Sequence, residues 1–364
     1  MPDRVTTEHE VAIKIGGRSF TGWDTISIEM AIDNCADGFS LSAAYDPDRA
    51  DLAGVFRSAI YKPCVITIDD EPVLTGRVEK VAAKYDADDR AITVEGRSLT
   101  APLVDCSIDG DLQFSPDGGS MLSQICRQIC RPFGVIVRAD NDAGPIEEAR
   151  ASYGQKAYDF LSSLASPRHV FLNSSYKGEL VITWANSMIN RPVVAALVEG
   201  HSPLIGVSTN NDGTLRFSRY KVASQADGIE DTVDVSVDPS VTTYRPLLSV
   251  EQDAVMSPDT QTAAQAKSMA KKLRSADRIR KDAFASSFSA SATVTGWRAP
   301  NGQRWHERQM VTLYAPGAMC SREVRYIIAG ISFKLSPDNG ETCEMRLVLP
   351  ELYAGAMPKV FPWD

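Results

Sequence analysis

Apolar and polar residues alternate in short runs near both ends of the chain, and the two sets of runs read alike. The first set is Val65-Ile66-Thr67-Ile68, then Leu74-Thr75-Gly76-Arg77-Val78, then Ile92-Thr93-Val94-Glu95-Gly96. The second is Val311-Thr312-Leu313-Tyr314, then Ile328-Ala329-Gly330-Ile331-Ser332-Phe333, then Met345-Arg346-Leu347-Val348-Leu349. A period of two turns alternate side chains to one face, the signature of half-buried strands. In each set a strand feeds a second that carries a glycine, and a third alternating strand closes the group. A duplicated barrel or sandwich is the simplest architecture with this pattern. Duplication within one chain lets an oligomer present twice as many similar faces as it has subunits.

The rest of the chain fits around these strands. Residues 1–105 are expected to form a first antiparallel β-barrel: Val11 to Ile15 runs into Gly16-Gly17, where a hairpin can turn, and Phe20 to Met30 offers Trp23, Ile26 and Ile28 for burial. Past Asp105 helical spacing begins, with Met121, Leu122, Ile125, Ile129 and Cys130 on one stripe that Pro132 and Gly134 terminate. A second helix over Tyr158–Ala165 and a hairpin turning at Lys177-Gly178 make 106–191 an α+β insertion. Residues 192–227 and 285–350 are expected to build a second barrel, with hairpin turns at Asn211-Asp212-Gly213 and Asn339-Gly340.

The intervening stretch, 228–284, begins within an acidic run of Asp227, Glu230, Asp231, Asp234 and Asp238. It lacks the ordered ligand spacing of a calcium loop and reads as a solvated loop. A long helix follows, with Ser257 as N-cap and Pro258 in its first turn. Its apolar stripe includes Ala266, Leu273, Ala276 and Ile279, and its other face carries Lys267, Lys271, Arg274 and Arg278, which face only Asp277. This basic face is either solubilising or a contact for an acidic partner. The tail, 351–364, holds Leu352, Tyr353, Val360, Phe361 and Trp363 without periodicity, composition suited to local packing or to docking on a partner.

Composition narrows the function. With 364 residues and 43% hydrophobic content the chain can bury more than one core. A net charge of −9 argues against a dedicated nucleic-acid binder, which needs clustered Lys and Arg to neutralise phosphates. Neither an apolar leader at Met1–Glu10 nor a run of roughly 18 apolar residues is found, so no membrane anchor is expected. The 7 cysteines are scattered without a Cys-x-x-Cys pattern, which favours reduced packing thiols over disulfides or a metal site.

Catalytic signatures are sparse. His306-Glu307 lacks the second histidine of a zinc-protease helix, no G-x-S-x-G occurs, and no lysine follows a phosphate-binding glycine turn. The 4 histidines, His9, His169, His201 and His306, pair with no nucleophile in sequence, and His9 lies in a start expected to fray. No catalytic residue, metal or cofactor is assigned. A glycosidase-type carboxylate pair is compatible with 47 acidic residues but marked by nothing specific.

With this layout, the chain resembles the baseplate hub proteins of Mu-type contractile phage tails, the tail protein P or late control protein D family. The likeness rests on Gly17-Arg18-Ser19-Phe20-Thr21-Gly22-Trp23, on Leu74-Thr75-Gly76-Arg77-Val78, and on the segment from Trp305 to Tyr353. Most specific is the run Val94-Glu95-Gly96-Arg97-Ser98-Leu99-Thr100 leading to Leu103-Val104-Asp105-Cys106.

The resemblance implies a mixed, mainly β fold: two tube-protein-like barrels with two smaller α+β or helical insertions. It implies a homotrimer whose barrels form a pseudo-hexameric ring, joining a sixfold tail tube protein to a threefold central spike protein and contacting other baseplate or tape-measure proteins. DNA passes only in transit, so acidic and neutral side chains are expected to line the channel. The chain would be made in the host bacterial cytoplasm and reside in the virion tail, with the 352–364 segment a candidate spike or subunit contact. The alternatives are a tail-associated cell-wall hydrolase and the hub of a phage-like secretion or bacteriocin injection machine.

Overall fold

The computed structural model describes residues 8–44, 55–86, 90–110, 112–114, 120–140, 145–146, 149–184, 187, 191–226, 229–251 and 275–358. They form a mixed, mainly β protein in which 13 strands join one sheet. Its first half consists of β1 (Val11–Ile15), β2 (Arg18–Phe20), β3 (Thr25–Ala31), β4 (Gly38–Ala44), β5 (Pro63–Ile68), β6 (Glu71–Tyr85) and β7 (Arg90–Ser98). Alternation does the sorting: in β3, Ile26 and Ile28 are buried while Thr25 and Glu29 stay in solvent. Across the sheet these strands run β3-β4-β7-β6-β5-β1-β2, each pair antiparallel.

The second half has a similar strand order. Its strands, across the sheet, are Leu204–Asn211, Phe288–Thr295, Gly340–Val348, Cys320–Ser336, Met310–Ala315 and Val193–Val198. Leaving β2 aside, both halves place their strands, numbered along the chain, in the order second, third, sixth, fifth, fourth, first. Each also has one long strand, β6 with 15 residues and Cys320–Ser336 with 17. The early part of each long strand pairs with the fourth strand and the late part with the sixth. A bulge falls where the partner changes, between Val78 and Lys80 in one and between Ile328 and Gly330 in the other. One pairing differs: β1 meets β5 antiparallel, whereas Val193–Val198 meets Met310–Ala315 parallel.

Two closed barrels were expected, but no closed barrel is formed among the described residues. The reason lies in the seam between the halves. The late part of Cys320–Ser336 pairs with β3, from Gly330 opposite Ala31 to Leu335 opposite Ile26, so an edge that could close its own half is used by the other. Ile331, Phe333 and Leu335 are buried there, and one apolar cluster runs through both halves from Ile13 to Leu347.

The glycines of the two sets also differ in role. A Cβ on Gly96 would stand 2.1 Å from the Arg77 carbonyl oxygen and 2.7 Å from the Phe39 ring, and one on Gly76 would stand 2.1 Å from the Arg97 carbonyl oxygen. Close approach of β6 and β7 therefore demands glycine at both places. Gly330 meets nothing nearer than 3.4 Å and, counted from its bulge, holds the place of Lys80.

Between the halves lies an independent α+β unit. Helix Leu122–Cys130 buries Leu122, Ile125, Cys126, Ile129 and Cys130, helix Ala157–Ala165 covers it, and the hairpin Val170–Ser174 with Leu180–Trp184 completes a separate core. A second unit interrupts the second half: strands Arg219–Ala226, Ile229–Val237 and Pro246–Glu251 with helix Ala276–Ser286.

Three expectations change here. Arg219–Ala226, read above as part of the second barrel, pairs inside this inserted sheet, and no hairpin joins it to Leu204–Asn211, which instead pairs with Phe288–Thr295. The acidic stretch is largely strand. Asp234 accepts a 2.8 Å hydrogen bond from the Ala276 N–H and so caps the helix, while buried Asp238 pairs with Arg216 at 3.2 Å.

Candidate partner interfaces

The motif Arg97-Ser98-Leu99-Thr100 sits where β7 leaves the sheet. Arg97 grips Glu79, the bulged residue of β6, through hydrogen bonds from Nε and Nη2 of 2.6 and 3.1 Å, and its Nη1 and Nη2 reach Asp105 on the helix Ala101–Asp105. This fork geometry is why arginine suits the place. The bond to Arg97 holds the Asp105 carboxyl below its usual range. Ser98 Oγ lies 2.7 Å from Thr100 Oγ1, which donates to the Cys35 carbonyl, and the Ser98 N–H donates to the Asp37 carbonyl at 2.8 Å. The motif thus ties the sheet to the loop after β3 and to the first inserted unit.

The face of the sheet turned from the core is polar and open. Ser27, Ser40, Glu79, Lys80, Glu95 and Arg97 line a shallow hollow on its first half. Its charges meet opposite charges across the strands: Lys80 and Glu95 at 3.1 Å, and, on the second half, Lys334 and Glu344 at 2.6 Å. Such exposed pairs add little stability, but they leave the face nearly neutral.

The C-terminal residues divide. Leu352 and Tyr353 lie on the short helix Pro350–Ala354; Tyr353 is only 5% exposed, packed among Ile32, Met310, Ile327 and Val348. Its ring meets Phe171 of the first inserted unit edge-on, with centroids 5.1 Å apart, and burial pushes its phenol well above the ordinary range. Leu352 is half-buried beside it. Val360, Phe361 and Trp363 lie outside the described residues.

So do Lys267, Lys271 and Arg274. Arg278 faces inward: its Nε donates to Asp282 at 2.8 Å and Nη2 reaches the Leu352 and Tyr353 carbonyls at 3.4 and 3.5 Å. Arg280 and Lys281 pair with Asp277 at 2.6 and 2.7 Å. Two acids, not Asp277 alone, therefore answer the cations of this helix.

His9, expected to fray, is anchored. Nδ1 lies 2.7 Å from Glu341 Oε2, and the ring stacks on Trp297 with centroids 5.6 Å apart, so the start of the first half is pinned to the second. Ligand atoms of Glu8, His9 and Glu341 gather within 4.8 Å, the one grouping of metal-ligand type among the described residues, and the hydrogen bond and stacking already give His9 a structural role.

Known proteins resemble the chain over most of its length. Residues 10–98 match the N-terminal domain of the Mu phage baseplate assembly protein GpP-like family, and residues 100–184 match the second domain of baseplate hub protein gp44-like proteins. Baseplate hub protein gp44 of Escherichia phage Mu is 29% identical over 322 residues, 84% of this chain and 79% of that protein. Over most of its length the chain is similar to phage baseplate hub proteins of the gp44/GpP-like kind.

Solved structures agree. The 43 kDa tail protein of prophage MuSo2 from Shewanella oneidensis superimposes with a TM-score of 0.73 at 28% identity, covering 94% of this chain and 99% of that one. A tail protein from Neisseria meningitidis MC58 gives 0.77 at 21% identity, covering 96% and 99%, a likeness of fold. The gp44-like family is one of structural baseplate components, not catalysts.

Sequence reasoning passed over one feature of this chain, two sheet edges left free among the described residues. Among the described residues, Lys80–Tyr85 pairs with no strand on the side away from β7, and Leu204–Asn211 pairs only with Phe288–Thr295. Tyr85 and Ile205, 74% and 56% exposed, were the available signals: large apolar residues at strand positions that no core claims.

Proposed function

We propose that this protein is the structural hub of a phage-tail baseplate. Its two sheet halves are duplicated modules, and three copies close into a pseudo-hexameric ring that fits a sixfold tail tube on one side and a threefold central spike on the other. The observation that carries this reading is the strand order common to both halves, with the bulge of the long strand at the same crossing. The likeness to baseplate hub proteins supports it, since a hub meets several partners in the baseplate.

In the ring, the polar face of the sheet lines the bore. Charges there are cross-paired and interspersed with Ser27 and Ser40, so phosphates meet no sustained positive field and DNA slides through without being held. This lining is closer to neutral than to acidic.

The spike and tube are met at opposite rims, with residues 352–364 a contact for the spike or for the neighbouring copy. Light scattering on the purified full chain tests the ring, with a mass of three chains expected. A mass that stays that of one chain at every concentration would overturn it.

A further inference from the structure

A hollow where the first inserted unit meets the two halves of the sheet holds two arginines that no acid of the chain grips. It encloses about 300 Å³, with Met30 and Val73 of the first half in its wall. Four arginines line it: Arg138 on the short strand Val137–Ala139, Arg191 just ahead of Val193–Val198, and Arg304 with Arg308 on the segment leading into Met310–Ala315. Arg138 pairs with Asp140 at 3.4 Å and Arg304 with Glu71 at 2.8 Å. Among the described residues, the side chains of Arg191 and Arg308 make no hydrogen bond or ion pair.

Arg308 is the more telling of the two. Its Nε is buried without an acceptor, and the indole N–H of Trp305, fully buried in the same wall, is in the same state. Buried donors left unmet are costly and rare in native proteins. Arg308 also holds a φ of 72°, a left-handed backbone that strains a residue with a side chain. Its position is braced: the Arg308 N–H donates to the Ile328 carbonyl at 2.8 Å, and the Gln309 side chain accepts from the His306 N–H and donates to the Arg304 carbonyl, both at 3.1 Å. Such bracing pre-organises a binding group at no later cost.

Two acids share the hollow, and neither is a contact partner for Arg308. Asp37 accepts from the Ala31 N–H at 3.3 Å; burial, with Glu307 adding to it, pushes its carboxyl well above the ordinary range against that hydrogen bond and Arg308. A carboxyl so shifted is a weak counter-charge. Glu307 acts on Arg308 through space without forming an ion pair. Burial pulls the Arg308 guanidinium below its ordinary range, with Arg191 and Arg138 adding to this and Glu307 and Asp140 opposing it.

We propose that this hollow binds one compact oxyanion, a phosphate or a carboxylate, between the guanidinium groups of Arg308 and Arg191. A planar guanidinium can meet two oxygens of either group at once, and an anion there gives the buried Arg308 Nε its acceptor. A space of about 300 Å³ takes a single anionic group, not a nucleic-acid backbone, whose phosphates follow one another along a surface. The same chemistry comes from two sources, a free phosphate ion and an acidic side chain of a protein partner. The site exists whether or not three copies form a ring.

The test is titration calorimetry on the full chain at constant ionic strength, with inorganic phosphate in one arm and a short glutamate-rich peptide in the other. Saturable binding of at least one probe is expected, weakened about tenfold or more by Arg308→Met and by Arg191→Met, the loss that follows from removing a charged hydrogen-bond donor. Arg57→Met, at an exposed arginine of the first half outside the hollow, should leave the affinity unchanged. Methionine keeps the unbranched stem and asks the same of the backbone, and Arg191→Met alone decides the matter if Arg308→Met does not fold. Tighter binding of phosphate marks the free ion as the occupant; tighter binding of the peptide marks a protein carboxylate. No binding of either probe, or binding as tight in Arg191→Met or in folded Arg308→Met as in the unaltered chain, overturns the proposal.

Discussion

Phe333 stands directly opposite Ile28, and both side chains are fully buried. This pair lies at the centre of the seam that turns two half-sheets into one. Phe333→Ala is expected to destabilise the chain by about 3–5 kcal/mol, the usual cost of truncating a buried aromatic. Because the core is shared, urea unfolding followed by tryptophan fluorescence should shift as a whole. A change below about 1 kcal/mol would mean that the halves do not depend on the seam.

Arg97 links the bulge at Glu79 to Asp105, and Arg97→Met should lower stability at neutral pH by about 1 kcal/mol, given how exposed these groups are. The pH sign follows from the carboxyls. Asp105 and Asp277 are held below their ordinary 3.8 by hydrogen bonds from Arg97 and from Lys281 with Arg280. Their contribution is present above that value and fades as pH falls through the lower, folded values. Stability measured from pH 6 down to about 2 should fall less steeply in Arg97→Met than in the unaltered chain. Parallel curves would contradict this role.

Tyr353 and Phe171 join the C-terminal helix to the first inserted unit. A double-mutant cycle with Tyr353→Leu and Phe171→Leu should return a coupling of about 0.5–1.5 kcal/mol. Additive effects would show the contact to be incidental.

Thiol reactivity separates surface from core. Burial pushes the Cys64 and Cys130 thiols up to about 12 and leaves Cys106 as the exposed cysteine. A charged disulfide reagent is expected to modify one thiol per native chain quickly, and Cys106→Ser should abolish that phase. Rapid reaction of several thiols would mean that the inserted unit opens readily.

The strands were legible because alternation is local: Ile26 and Ile28, or Val94 flanked by Thr93 and Glu95, declare a face without reference to the rest of the chain. The two sets of alternating runs could be set side by side for the same reason. Closure was not legible, since an edge strand and a seam strand share one local pattern, and only the partner of Gly330–Leu335 decides between a barrel and an open sheet. The acidic run misled because Asp234 and Asp238 act through distant partners, Ala276 and Arg216. Arg278 misled likewise, since the carbonyls it reaches lie at the far end of the chain. The free edges escaped notice because unpaired backbone leaves no mark on side-chain pattern beyond stray exposed residues such as Tyr85.

Imaging the purified full chain as single particles, viewed along the axis of its assembly, tests the central claim most directly. The account predicts a ring of three chains whose six half-sheets follow one another at roughly equal rotations around an open bore. A ring in which the two halves of each chain occupy unrelated positions, or an assembly with no bore, would contradict it.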